Sequence, residues 1–227
     1  MRWISAAALA LLAGCAALAL LTACAGLRGG EPVLIAPTNY DPRLRLDIRY
    51  ATSDNFVGAA IDGYEAPLCL LTPEAALALS WVARDLRHDG LALVIFDCYR
   101  PQRAVDHFVR WAALPEDPAA RAAYHPNVPK SELFDRGYIA ARSSHSRGST
   151  VDVGLVRDGK LVDMGTPFDF FDPLSHTDAA GGQPRAHRQA LRTAMERHGF
   201  RNYPKEWWHY TLAPEPHAFR YFDVPVR

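Results

Sequence analysis

Between Val151 and Gly165 the chain reads VDVGLVRDGKLVDMG, and no other stretch narrows its possible folds so far. Asp158-Gly159 lies between two arms of alternating apolar residues. An Asp-Gly pair supplies the positive φ angles of a two-residue type I′ turn, so the arms pair as a β-hairpin. The other elements must be arranged around that antiparallel pair. Leu44, Leu46, Ile48 and Tyr50 alternate with Arg43, Arg45, Asp47 and Arg49, which predicts a half-buried strand. LALVIFD, ending at Asp97, is a short apolar run and predicts a buried strand, and WHYTL, ending at Leu212, predicts the last one. Thr72-Pro73-Glu74 supplies an N-cap, a first-turn proline and an acidic first turn for a helix that stops at Gly90. QRAVDHFVRWAAL, just after Tyr99-Arg100-Pro101, predicts a second helix, and RAHRQALRTAMERHG, ending at Gly199, a third. The stretch between the second helix and the hairpin reads as a proline-rich loop. Helices and strands mix without regular βαβ alternation. The expected fold is therefore α+β, a compact single domain with a mostly antiparallel central sheet and helices packed around it.

Of the 227 residues, 49% are hydrophobic and 22% are charged, enough for one good core. The formal net charge is zero, which gives no electrostatic case for nucleic acid or an anionic surface. The N-terminus stands apart. MRWISAAALALLAGCAALALLTACAG opens with a basic residue, continues as an alanine- and leucine-rich run and ends in small residues and a cysteine. Leu21-Thr22-Ala23-Cys24 resembles the lipobox of bacterial lipoproteins, whose cysteine is lipidated and becomes the mature N-terminus. Leu12-Ala13-Gly14-Cys15 fits the same pattern, but cleavage there would leave the greasy AALALLTA at the start of the mature chain, so Cys24 is the expected lipidation site. An uncleaved membrane anchor is the alternative. The expected organisation is a lipoprotein-type signal peptide over residues 1–24, a tether over 25–40 and one folded domain over 41–227, exported and attached to a membrane through its lipid. Cys69 and Cys98 then remain. They either pair, as thiols in an oxidising compartment do, or stay as buried small hydrophobes. Two cysteines make no zinc-finger-like site, so any metal must be held by histidine and carboxylate.

All nine histidines lie beyond residue 80. His88, His107, His125, His187, His198 and His217 fall beside charged or proline residues and read as solvated, with His176 intermediate. His145 and His209 differ, because each has a carboxylate at a useful offset. Gly148 permits a turn after His145, and Asp152 follows on the strand leaving it. Glu206 precedes His209 by three positions, which on a regular strand would point the two to opposite faces. A turn or bulge is therefore expected at Glu206, before His209 enters its strand. The two pairs together supply two imidazoles and a carboxylate as ligands, with a carboxylate left over as a general base, as a catalytic zinc hydrolase needs. Arg100, where a strand hands over to a helix, adds a permanent positive charge for an oxyanion.

The segments DNFVGAAIDGY, YRPQRAV, SSHSRGS with Asp152, MGTPFDF, EWWHY and YFDVPV, in this order, resemble the zinc-dependent D-alanyl-D-alanine dipeptidases, the family that includes the vancomycin-resistance dipeptidase. The likeness runs from about residue 40 to the C-terminus. It implies one zinc ion per chain held by His145, Asp152 and His209, with Glu206 as catalytic base and Arg100 stabilising the transition state. Ser143 and Asp169 match residues lining the dipeptide site. The implied reaction is hydrolysis of D-Ala-D-Ala to two D-alanines, with a small dipeptide as the ligand and no protein partner. Cys98 stands where the resistance enzyme is expected to have glycine, and Phe96 where it is expected to have tryptophan. Export suits cell-wall turnover better than depletion of a cytoplasmic precursor. Two other readings are a D,D-carboxypeptidase acting on longer peptidoglycan stems and a wall-binding lipoprotein with a zinc site but no catalysis.

Overall fold

The structure is a computed structural model and describes residues 30–227. The segment expected as a signal peptide, with Cys15 and Cys24, lies outside the described residues. The sheet is built from β1 (Arg45–Leu46), β2 (Ala92–Asp97), β3 (Thr150–Arg157), β4 (Lys160–Leu161), β5 (Phe200–Asn202) and β6 (His209–Leu212). Its order is β1-β2-β3-β6-β5, with β4 paired to β3. β1 and β2 run parallel and every other pairing is antiparallel, in keeping with the α+β expectation. The β3–β4 hairpin turns on Asp158 and Gly159, at φ 50° and 76°.

Four helices accompany the sheet: α1 (Pro73–His88), α2 (Gln102–Ala112), α3 (Pro118–Tyr124) and α4 (Gly182–Arg197). Thr72 caps α1 by accepting the Ala75 amide, and Gly90, at φ 69°, lets the chain leave its far end. Ala75, Leu79, Val82 and Leu86 recur at helical spacing and are buried where α1 packs on β2 and α4. No helix among the described residues is long and apolar enough to cross a membrane.

β3 lies between β2 and β6, and its side chains alternate between the faces, so Asp152 points opposite to Val151 and Val153. The β2 register runs flush from Ala92 opposite Val156 to Ile95 opposite Val153, and then Asp97, not Phe96, stands opposite Asp152. This bulge at Phe96 turns Asp97 to the face that bears Asp152. On the other side Asp152 is opposite His209, so Asp97, Asp152 and His209 form one row across three strands.

Several expectations change. The strand predicted across Leu44–Tyr50 shrinks to β1. The chain leaves the sheet in a 3-10 turn, Arg49–Ala51, because the Asn55 amide captures the carbonyls of Arg49 and Thr52. The stretch 32–40, expected as tether, belongs to the folded unit Pro32–Arg227: Ile35 bridges Leu71 and Pro37 is buried. The expected loop contains α3, capped by Asp117. β5 arises without an apolar alternation to announce it, and α4 begins at Gly182, ahead of Arg185. His125 is buried, its Nδ1 bonded to the Val128 carbonyl and its ring against Trp111. Of the two alternatives for the cysteines, Cys69 and Cys98 are bonded, with Cα atoms 5.2 Å apart.

Candidate active site

His145 sits in a one-turn 3-10 segment, Ser144–Arg147. Ser143 caps it, its Oγ accepting the His145 amide at 3.3 Å. Gly148 closes it at φ 82°, where a Cβ would also come within 2.9 Å of Leu34. β3 then carries Asp152 back beside His145. Of the turn or bulge expected at Glu206, the structure has a turn: the His209 amide donates to the Glu206 carbonyl at 3.3 Å, and His209 opens β6. His145 Nε2 lies 3.3 Å from Asp152 Oδ1, His209 Nδ1 lies 3.1 Å from the same oxygen, and the two nitrogens are 3.2 Å apart.

These three atoms fit a cation. His145 Nδ1 is 2.6 Å from the Cys98 carbonyl, which can only accept, so the ring's proton is there and Nε2 presents a lone pair. His209 Nε2 is engaged by Ser144 Oγ at 3.2 Å, leaving Nδ1 for the cluster. Asp152 Oδ1 is buried and receives no hydrogen bond. Three acceptors facing one another this closely are stabilised by a positive ion between them. Tetrahedral zinc with bonds of about 2.0–2.1 Å spaces its ligands about 3.3 Å apart, which suits this triangle.

Arg100 donates through Nε to Asp97 Oδ2 at 2.9 Å; its Nη2 lies 2.8 Å from the same oxygen and 3.5 Å from Asp152 Oδ2. Its guanidinium also lies over the rings of Tyr50 and Phe108. Burial opposes its charge, but the Asp97 carboxylate outweighs that and raises its pKa well above the ordinary value. Glu206 Oε2 is 3.5 Å from His209 Nδ1. Burial, reinforced by the negative charges of Asp152 and Asp169, lifts the Glu206 carboxyl well above the usual range. Burial pushes Asp152 the same way, yet His145 and His209 hold it below the carboxylate range.

Asp169 accepts the Tyr50 hydroxyl at 2.9 Å, and burial together with the Asp152 charge raises its pKa. It adopts φ 60°, on a loop held by the buried Arg188, which donates to the carbonyls of Met164, Leu174 and His176. Ser143, Arg100, Asp169 and Glu206 all line one cavity of about 240 Å³ with the histidine–aspartate triangle. The structure thus gathers every candidate residue it describes, while Cys24 lies outside the described residues. Sequence reasoning missed Asp97, although a charged side chain closing the apolar run LALVIFD was a signal for it. Tyr50, Ser144 and the Cys98 carbonyl carried no signal of their own.

Two imidazoles and one carboxylate as ligands, a carboxyl group beside them and a buried arginine make up the layout of a single-metal hydrolase. Comparison with known proteins narrows this class. The family model described as D-ala-D-ala dipeptidase matches residues 35–227, and the chain belongs to that family. A D-alanyl-D-alanine dipeptidase of Streptomyces coelicolor is 47% identical over 188 residues, covering 81% of this chain and 93% of that protein. One of Enterococcus faecalis is 46% identical over 187 residues, with the same coverages of 81% and 93%. One of Escherichia coli is 35% identical over 175 residues, covering 75% and 80%. Among solved structures, a point mutant of the vancomycin-resistance D,D-pentapeptidase VanY in complex with Zn(II) has a TM-score of 0.39 at 18% identity, over 70% of this chain and 80% of that one.

Proposed function

We propose that the protein is a zinc-dependent dipeptidase that hydrolyses D-Ala-D-Ala to two D-alanines. The observation that carries this reading is the triangle of His145 Nε2, Asp152 Oδ1 and His209 Nδ1, with Glu206 3.5 Å from His209 inside a cavity of dipeptide size. When bound there, zinc supplies a Lewis acid for the scissile carbonyl and lowers the pKa of its water to about 7. Glu206 takes the proton of the attacking water and returns it to the leaving amine. Arg100, fixed by Asp97, presents positive charge to the developing oxyanion. Asp169 receives the substrate ammonium, whose charge replaces the countercharge that burial denies it. Ser143, at the start of the turn that carries His145, lines the same cavity and contacts the dipeptide.

Export through the segment 1–24, lipidation at Cys24 and a place in cell-wall peptide turnover belong to the same proposal and rest on the N-terminal sequence. Purified protein, zinc-loaded and chelated, should be assayed for D-alanine release from D-Ala-D-Ala and from its N-acetyl derivative. Zinc-dependent release from the free dipeptide is expected. Preference for the acylated compound would instead identify a carboxypeptidase of longer stems, and no release from either would overturn the catalytic reading. Replacing Cys24 with Ser should move the protein out of the membrane fraction, and unchanged fractionation would dismiss the lipid anchor.

A further inference from the structure

We propose that Arg142 reads the free C-terminal carboxylate of the substrate and so restricts the reaction to a terminal D-residue; this rests on the dipeptidase reading above. Two arginines line the cavity, Arg100 and Arg142. Arg100 is committed, its Nε and Nη2 taken by Asp97 and Asp152. Asp152, Asp169 and Glu206 make the rest of the charged lining acidic. A zwitterionic dipeptide placed with its ammonium at Asp169 brings a carboxylate into this acidic surround, and Arg142 is the cation left to meet it. Among the described residues, Arg142 makes no ion pair and no side-chain hydrogen bond.

Arg142 is nevertheless held ready. Its guanidinium lies over the Tyr221 ring, 5.2 Å from the centroid. The next residue, Phe222, donates its amide to the Ser146 carbonyl at 2.8 Å, which pins this ring to the turn that carries His145. Arg147 lies over the same ring at 5.7 Å but does not compete for an anion, because Glu215 takes its Nε and Nη2 at 2.7 Å each. On the other side, Gln102 donates to the Ala141 carbonyl at 3.1 Å, fixing the backbone just before Arg142. The stacked face of the guanidinium leaves its edge of N–H donors free, and that edge matches a carboxylate through two parallel bonds.

The test compares D-Ala-D-Ala with D-alanyl-D-alanine amide, which keeps the ammonium and scissile bond and loses the carboxylate charge. Zinc-loaded wild type, Arg142→Gln and Arg142→Lys are assayed on both. Arg142→Gln is expected to lose roughly 10- to 100-fold in kcat/KM on the free acid, mostly through KM, and less than about threefold on the amide. Arg142→Lys should recover part of the loss, because it restores charge without the planar fork. Equal losses on the two substrates, or no loss on the acid, overturn the role of Arg142 while leaving the dipeptidase reading intact. A wild-type protein that cleaves neither compound overturns that reading and this inference with it.

Discussion

Asp97→Ala removes the carboxylate that holds Arg100 and leaves the guanidinium with Asp152 Oδ2, at 3.5 Å, as its remaining countercharge. Asp97 is fully buried and the Arg100 side chain is 12% exposed, so water does not take the lost place. Breaking a buried ion pair from one side costs about 3–5 kcal/mol. The Tyr64 hydroxyl, which donates to Asp97 at 2.5 Å, loses its acceptor in the same step. For a domain of this size each kcal/mol moves Tm by roughly 2–4 °C, so Asp97→Ala should melt about 6–20 °C below wild type. Thermal and urea unfolding of metal-free Asp97→Ala, Arg100→Met and the double variant form a cycle. Removing both charges deletes the uncompensated cation, so the double variant should be more stable than Asp97→Ala alone, with a coupling of about 1–3 kcal/mol. A double variant whose loss equals the sum of the single losses would refute the view that Asp97 exists to hold Arg100.

Glu206→Gln should lower kcat on D-Ala-D-Ala by roughly 10²- to 10⁴-fold with its zinc content unchanged; loss of zinc along with activity would make Glu206 a ligand instead of a base. The bond between Cys69 and Cys98 joins residues 29 apart in the chain, and replacing both cysteines with Ser should cost about 3–4 kcal/mol in urea unfolding. A loss under about 1 kcal/mol would mean that the loop is already constrained in the unfolded chain. Asp41 supplies a pH dependence away from the candidate metal site. Burial opposes its ionisation, but Arg43 and Arg87 hold its carboxyl below the ordinary value. Its contribution is therefore complete above the unfolded pKa near ~3.9 and disappears as pH falls through the folded value. Asp41→Asn should flatten the acid limb of stability below about pH 4, and an unaltered limb would show that other carboxylates set it.

The parts of the fold governed by local chemistry were readable in the residues. Asp158-Gly159 could make few other turns, and Thr72-Pro73-Glu74 could begin few other elements. The convergence of His145, Asp152 and His209 was readable because its members occur in two short pieces, each with its own turn: Gly148 after His145, and the stretch from Glu206 to His209. What escaped was decided by distant partners. The alternation of Leu44 to Tyr50 asks for a long strand, but Asn55 withdraws the carbonyls that would continue the ladder. His125 resembles the solvated histidines in sequence and is buried by Trp111, which is nearby only in the fold. Asp97 was visible as an oddity, but its service to Arg100 depends on a register that no local pattern records.

That register has a consequence for how the protein tolerates change. Which face a strand residue occupies is a matter of parity, and the extra residue at Phe96 switches parity at the last step of β2. Deleting one residue before Ile95 can be absorbed by the loop at Gly90, with the aspartate still opposite Asp152. Adding one residue between Phe96 and Asp97 would send Asp97 to the face shared by Val151 and Val153, a carboxylate delivered into hydrocarbon and away from Arg100. The count of residues in this strand therefore shapes the candidate site as much as the identity of any side chain on it.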